Sequence, residues 1–124
     1  SSVNLNFANT GNYRNGVSVD IASHLRVSKT TPYNLYVRAS SSNFISGANT
    51  IPLNVLRIGP MAGQTGINTI TLSSTAQQLI QNANPTIDRN LNIQYSIPAS
   101  ETSKLLGKPS GSYTATIIYS FVAP

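Results

Sequence analysis

The chain predicts an all-β fold, an antiparallel two-sheet sandwich of about seven or eight strands. Three observations lead there. Apolar and polar residues alternate at period 2 in one segment after another, as in Leu91, Ile93, Tyr95 and Ile97 set between Asn92, Gln94 and Ser96. Gly, Pro, Asn and Ser clusters separate those segments at intervals of roughly 8–12 residues. No segment sustains the period of an amphipathic helix, which argues against βαβ units. A closed barrel is the alternative, because it produces the same alternation.

Taken in order, Val3-Asn4-Leu5-Asn6-Phe7 reads as a first strand ended by Asn9-Thr10-Gly11-Asn12. After the Asn15-Gly16 turn, Val17, Val19 and Ile21 alternate with Ser18 and Asp20, and Leu25 and Val27 continue the alternation. Thr31-Pro32 breaks the chain before a strand whose Tyr33, Leu35, Val37 and Ala39 share one face. Ile51 to Ile58 is strand-like, with Pro52 implying an edge position or a late start. Gly59, Gly63 and Gly66 mark a flexible connection, after which Ile67, Ile70 and Leu72 resume a strand. Ser73 to Asn84 fits a short helix or a short strand, and its all-β neighbours favour the strand. Pro98 ends the Leu91–Ile97 strand, and Ser100 to Leu106 suits a helical turn. Gly111 to Val122 is the longest strand expected. Tyr113, Ala115, Ile117, Tyr119 and Phe121 form its apolar face, and Ile117 is expected in the core.

The 124 residues fit a single domain, 1–124, large enough to bury one core. Charged residues make up only 9%, far below the usual quarter, and Ser, Thr and Asn supply roughly a third of the chain. Neutral polar side chains on alternating strands suit solvent-facing sheets, a composition typical of secreted β-proteins, so an extracellular or cell-surface location is expected. The chain has no cysteine, hence no disulfide framework and no thiolate chemistry. The net charge of +5 is spread along the chain without a basic cluster, unlike a nucleic-acid footprint. No apolar run approaches the ~20 residues of a membrane-spanning helix.

Chemistry-bearing residues are scarce: Asp20, Asp88, Glu101 and one histidine, His24. Acid–base work at a glycosidic bond needs two carboxylates together, and Asp88 and Glu101 fall in separate expected turns. A triad or metal site needs partners that His24 lacks in the sequence. The glycines at 59, 63 and 66 are not followed by the Lys-Ser/Thr of a phosphate loop. No catalytic residue, metal or cofactor is therefore expected, and the chain reads as a non-enzyme. Aromatic rings offer the best ligand candidates. Tyr13 sits in a turn among Asn12, Arg14 and Asn15, and Tyr36 lies on the polar face of its strand near Arg38. Tyr13, Arg14, Tyr36 and Arg38 are thus the expected ligand-binding residues, with the rings packing against sugar C–H faces. Tyr33, Tyr95, Tyr113 and Tyr119 are expected in the core or at its rim, with hydroxyls reaching the surface.

The block Pro109-Ser110-Gly111-Ser112-Tyr113-Thr114-Ala115-Thr116-Ile117 resembles the Pro/Ala-x-Gly-x-Tyr-x-Ala-x-apolar ending of fimbrial subunits and related bacterial surface domains. The strand Tyr33-Asn34-Leu35-Tyr36-Val37-Arg38-Ala39 after Pro32, followed by a Ser-rich turn and Thr50-Ile51-Pro52-Leu53, is similar to cysteine-free, immunoglobulin-like secreted domains of Bacteroidetes-type bacteria. The resemblance implies an exported sandwich serving cell adhesion or appendage building, and it carries over no binding residues. Chaperone-assembled pilins borrow a strand from a neighbour's N-terminal extension. Val3–Phe7 has the alternation of such an extension but is expected to pair within its own domain. The expected function is a non-catalytic cell-surface adhesion or appendage module, the alternative being a carbohydrate-binding module of a larger secreted protein. Expected partners are glycans or other surface-protein domains, with no nucleic acid and no membrane span, in a monomer or a strand-exchanging assembly.

Overall fold

The computed structural model describes residues 14–107 and 113–124. It is an antiparallel two-sheet β-sandwich. The strands are β1 (Gly16–Lys29), β2 (Tyr33–Ala39), β3 (Asn43–Ser46), β4 (Asn49–Pro52), β5 (Arg57–Pro60), β6 (Ile70–Thr71), β7 (Gln77–Ala83), β8 (Thr86–Pro98) and β9 (Ile117–Val122). One sheet has the order β1-β8-β5-β6, the other β7-β2-β9, and β3-β4 form a separate hairpin. Two 3-10 segments, η1 (Leu53–Val55) and η2 (Ala99–Leu105), complete the described structure. The expected strand Val3–Phe7 and the start of the closing strand at Gly111 lie outside the described residues.

The alternation read from the sequence is what fills the core. In β2, Tyr33, Leu35, Val37 and Ala39 are buried while Asn34, Tyr36 and Arg38 face away. In β8, Leu91, Ile93, Tyr95 and Ile97 are buried from the opposite sheet. These residues join Leu79, Ile80, Val55 and Ile58 in a single apolar cluster. Gly16 opens β1 because no other residue fits there: its φ is +79°, and a Cβ would run into the Ile97 carbonyl. The ambiguous Ser73–Asn84 stretch forms the strand β7, where Leu79 and Ile80 bury against β2.

Four register shifts, two between β1 and β8 and two between β2 and β7, shape the sheets. β1 places four residue steps, Ile21 to Leu25, against the two steps Ile93 to Leu91 of β8. The surplus is even, so Ile21 and Leu25 both keep facing the core. At each of three irregularities one non-glycine residue adopts positive φ: Ser23 in β1, Asn82 in β7 and Asp88 in β8. In each case a side chain from the neighbouring strand accepts that residue's backbone N–H. Asn92 Oδ1 accepts from Ser23 at 2.7 Å, Asn34 Oδ1 from Asn82 at 2.8 Å, and Ser28 Oγ from Asp88 at 2.9 Å. An amide that the bulge removes from the ladder is therefore satisfied from the side.

Five expectations are corrected. The strand expected across Ile51–Ile58 is interrupted: β4 stops at Pro52, which cannot donate to a ladder, and Leu53–Val55 turn through η1 before β5. Gly59 lies inside β5, opposite Gln94, and not in the flexible connection. The long closing strand is broken among its described residues. Thr114 exchanges backbone hydrogen bonds with Ile45 of β3, whereas Ile117–Val122 pair with β2. β2 ends at Ala39, opposite Ile117; the Thr116 carbonyl still accepts from Ser40 N–H just beyond it, and Thr114 has passed to the β3-β4 hairpin. The faces survive this break: Tyr113, Ala115, Ile117, Tyr119 and Phe121 are all partly buried against the core. Ile117 is consequently at the core's margin and not inside it. Finally, the Tyr33 and Tyr95 hydroxyls do not reach the surface. Tyr33 is 2% exposed and its hydroxyl has no hydrogen-bond partner among the described residues.

Leu91→Ala, at a fully enclosed site, should cost about 2–5 kcal/mol in denaturant unfolding, and Ile117→Ala clearly less because part of its surface is already in water. Tyr33→Phe removes a buried, unpartnered hydroxyl, which is worth about 1–3 kcal/mol when left unsatisfied. Its unfolding midpoint should be equal to or above that of the parent protein.

Candidate functional site

The expected ligand residues fall in two places. Tyr36 and Arg38 share the outer face of β2. Tyr36 lies between Gln78 of β7 and Ser120 of β9 in register, and Arg38 lies beside Ile118. The Tyr36 hydroxyl accepts a hydrogen bond from Gln78 Nε2 at 3.3 Å, and the ring is half-buried. The Arg38 side chain is exposed, and among the described residues its one hydrogen bond, at 3.5 Å, goes to the Ala39 carbonyl. Together they form a flat patch of one aromatic ring, one cation and neutral polar neighbours. Arg14 is exposed just ahead of β1, the edge strand of the other sheet, and no described contact links it to this patch. Tyr13 lies outside the described residues.

Each carboxylate is already engaged. Asp88 pairs with Arg26 at 3.1 Å, both side chains exposed, and not with the adjacent Arg89. Arg89 instead reaches the Thr65 carbonyl. Asp20 accepts from Gln94 Nε2 at 3.0 Å. Glu101 of η2 takes Arg57 at 3.0 Å and Lys104 at 2.6 Å, and Lys104 and Arg57 also bond to Asn54 of η1. The hydrogen bond from Lys104, with support from Arg57, holds the Glu101 carboxyl below the usual carboxylate range. This network ties η1, β5 and η2 together. Among the described residues no group of three or more His, Cys, Asp or Glu converges, and no helix is long and apolar enough to cross a membrane.

His24 has a role that the sequence reading missed. The irregularity at Ser23 turns His24 toward the inter-sheet space. There its Nε2 lies 2.7 Å from the Tyr95 hydroxyl, which lies 2.5 Å from the Tyr119 hydroxyl. The imidazole also meets both tyrosine rings edge-on, at centroid distances of 5.4 and 6.1 Å. The chain of hydrogen bonds runs from β1 through β8 to β9 and so joins the two sheets at one flank. Burial lowers the His24 pKa and raises that of Tyr95, and Tyr119 is pushed far above the ordinary tyrosine range by burial and by Tyr95. The only sequence signal for this cluster was the placing of Tyr95 and Tyr119 on apolar faces.

The same flank exposes two strand edges. Among the described residues β1 and β9 each end their sheet, and besides the His24–Tyr119 contact, Lys29 Nζ stands 5.8 Å from the centre of the Phe121 ring. β1 is interrupted by its bulge and carries Asp20, Arg26 and Lys29. β9 runs without a register shift against β2 and contains no charged residue in Ile117–Val122. Comparison of the chain with protein-family models, with curated proteins and with solved structures finds no match.

The lowered His24 pKa carries a definite sign. The unfolded chain binds the imidazole proton more tightly than the folded one. His24's contribution is therefore fully present above its ordinary value of 6.5 and declines as pH falls below it. Glu101 adds a separate loss only below its ordinary value of 4.5. The thermal midpoint should thus fall between about pH 7.5 and about pH 5.5, and His24→Gln, which keeps a hydrogen-bonding group but cannot titrate, should flatten that window. Equal slopes in the two proteins would show that His24 is not the responsible group.

Proposed function

We propose that the chain is a non-catalytic, extracellular module of a bacterial surface, acting in adhesion or in the building of a surface appendage. The observation that carries this reading is the open edge of β9: six uncharged residues in unbroken register with β2 and no strand beyond them among the described residues. Edges of this kind are templates for strand addition, and proteins that do not use them blunt them with charges, prolines or bulges. β1, on the same flank, has both a bulge and charges, whereas β9 has neither. The engagement of all three carboxylates with cations or amides supports the non-catalytic half of the reading. Low charge, with neutral polar side chains in its place, supports the extracellular half. In this reading the partner is another surface domain that adds a strand along β9, a second copy of this chain included.

A second reading, a carbohydrate-binding module of a larger secreted protein, rests on the Tyr36–Arg38 patch, where an aromatic ring and an exposed guanidinium lie on one sheet face.

Sedimentation across a concentration series tests the first reading. The parent protein should self-associate, and Ser120→Lys combined with Val122→Lys, both at exposed positions, should leave it monomeric with an unchanged thermal midpoint. A parent protein that stays monomeric throughout, or an association untouched by the two lysines, would contradict strand addition along β9.

A further inference from the structure

The β3-β4 hairpin, η1 and the segment between β6 and β7 border a shallow, open cleft of about 390 Å³ that none of the residues expected from the sequence lines. Its volume falls within the ~300–1,000 Å³ of small-molecule sites. Every lining side chain is uncharged. Leu53 and Leu72, both buried, and Pro52 supply an apolar base. Asn43, Thr71, Ser74 and Gln77 supply hydroxyls and amides around it.

Several of those polar groups have spare capacity. The side chains of Asn43, Thr71 and Ser74 have no hydrogen-bond partner among the described residues, and Gln77 uses its Nε2 on the Thr75 carbonyl while its Oε1 stays free. Two cations reach the rim at Asn54, Lys104 through its Oδ1 and Arg57 through its carbonyl, and both are already held by the Glu101 carboxylate, at 2.6 and 3.0 Å. The base is anchored: Leu72 N–H bonds to the Leu56 carbonyl, and the Ser73 carbonyl accepts from Ala39 N–H. The cleft is also open to solvent, which suits a ligand that extends beyond it.

We propose that this cleft binds a neutral oligosaccharide. A sugar ring presents an apolar C–H face for Pro52, Leu53 and Leu72, and a girdle of hydroxyls for paired donors and acceptors such as amides. A charged ligand would find no counter-ion in the lining and would lose solvation on entry. A purely apolar ligand would strip water from Asn43, Thr71, Ser74 and Gln77 without replacing their hydrogen bonds. This inference rests on the adhesive half of the proposed function and gives it a ligand class and a location distinct from the Tyr36–Arg38 patch.

A glycan array holding neutral, sialylated and sulfated oligosaccharides, followed by titration of the neutral glycans bound, tests the proposal on the full chain. Binding should be confined to neutral glycans. It should weaken about tenfold or more in Asn43→Ala/Gln77→Ala, be blocked by Ser74→Trp, which fills the cleft from an exposed position, and be unchanged in Tyr36→Ala. Thermal melts identify a variant that fails to fold, and the two cleft variants check one another. No binding to any glycan, binding restricted to acidic glycans, or binding that survives both cleft variants and falls in Tyr36→Ala would overturn the proposal. Self-association along β9 is read separately by sedimentation, so failure of the cleft and failure of the surface-assembly reading are distinguishable.

Discussion

The structure depends on a device used three times: a strand takes a residue out of the ladder, and a polar side chain from the next strand takes up the N–H that is left over. Ser23 is served by Asn92, Asn82 by Asn34 and Asp88 by Ser28, which also donates to Asp88 Oδ1. An L-residue at positive φ is held at a cost of about 1–3 kcal/mol. A hydrogen bond to an otherwise unpaired amide offsets a comparable amount. Asn and Ser are suited to this because their side chains are short, neutral and able to accept a backbone N–H. The bias toward Asn and Ser thus has a structural use within the sheets as well as at turns and solvent-facing positions.

These irregularities connect the backbone to the site. Because the bulge in β1 has an even surplus, Ile21 and Leu25 stay on the core face while His24 is brought against Tyr95 and Tyr119. That hydrogen-bonded chain links the two sheets at the flank where β1 and β9 both end. The bulge also spoils β1 as a template for strand addition, so the two edges on one flank differ: one is broken and charged, the other smooth and neutral. The proposed assembly role follows from that asymmetry.

Much of the sandwich was legible in the sequence. Period-2 alternation identified the buried faces of β2 and β8 down to individual residues, and strand neighbours correctly favoured a strand over Gln77–Ala83. The closing strand's faces were also right, yet its continuity was not, because alternation reports which way side chains point and is blind to which partner the backbone pairs with. The same limit explains Ile117: it has the correct face but sits in an edge strand, where one side of the residue stays open. Pro52 signalled a break whose form, a 3-10 turn, depends on tertiary packing of Leu53 and Val55. For the candidate site less was visible. Tyr36 and Arg38 are neighbours on one face as their spacing required, but the cleft is assembled from three segments distant in sequence. The His24 cluster depends on a bulge for which Ser23 gives no warning, since a serine at positive φ looks like any other serine in a strand.

Amide hydrogen exchange at Ser23, Asn82 and Asp88 tests this account most directly. All three residues are solvent-exposed and lie outside the regular ladder, so without the side-chain acceptors their N–H groups would exchange at rates near those of open loops. The account predicts protection comparable to neighbouring ladder amides at all three, lost selectively at Ser23 in Asn92→Ala and at Asn82 in Asn34→Ala. Fast exchange at these three amides in the parent protein would contradict it.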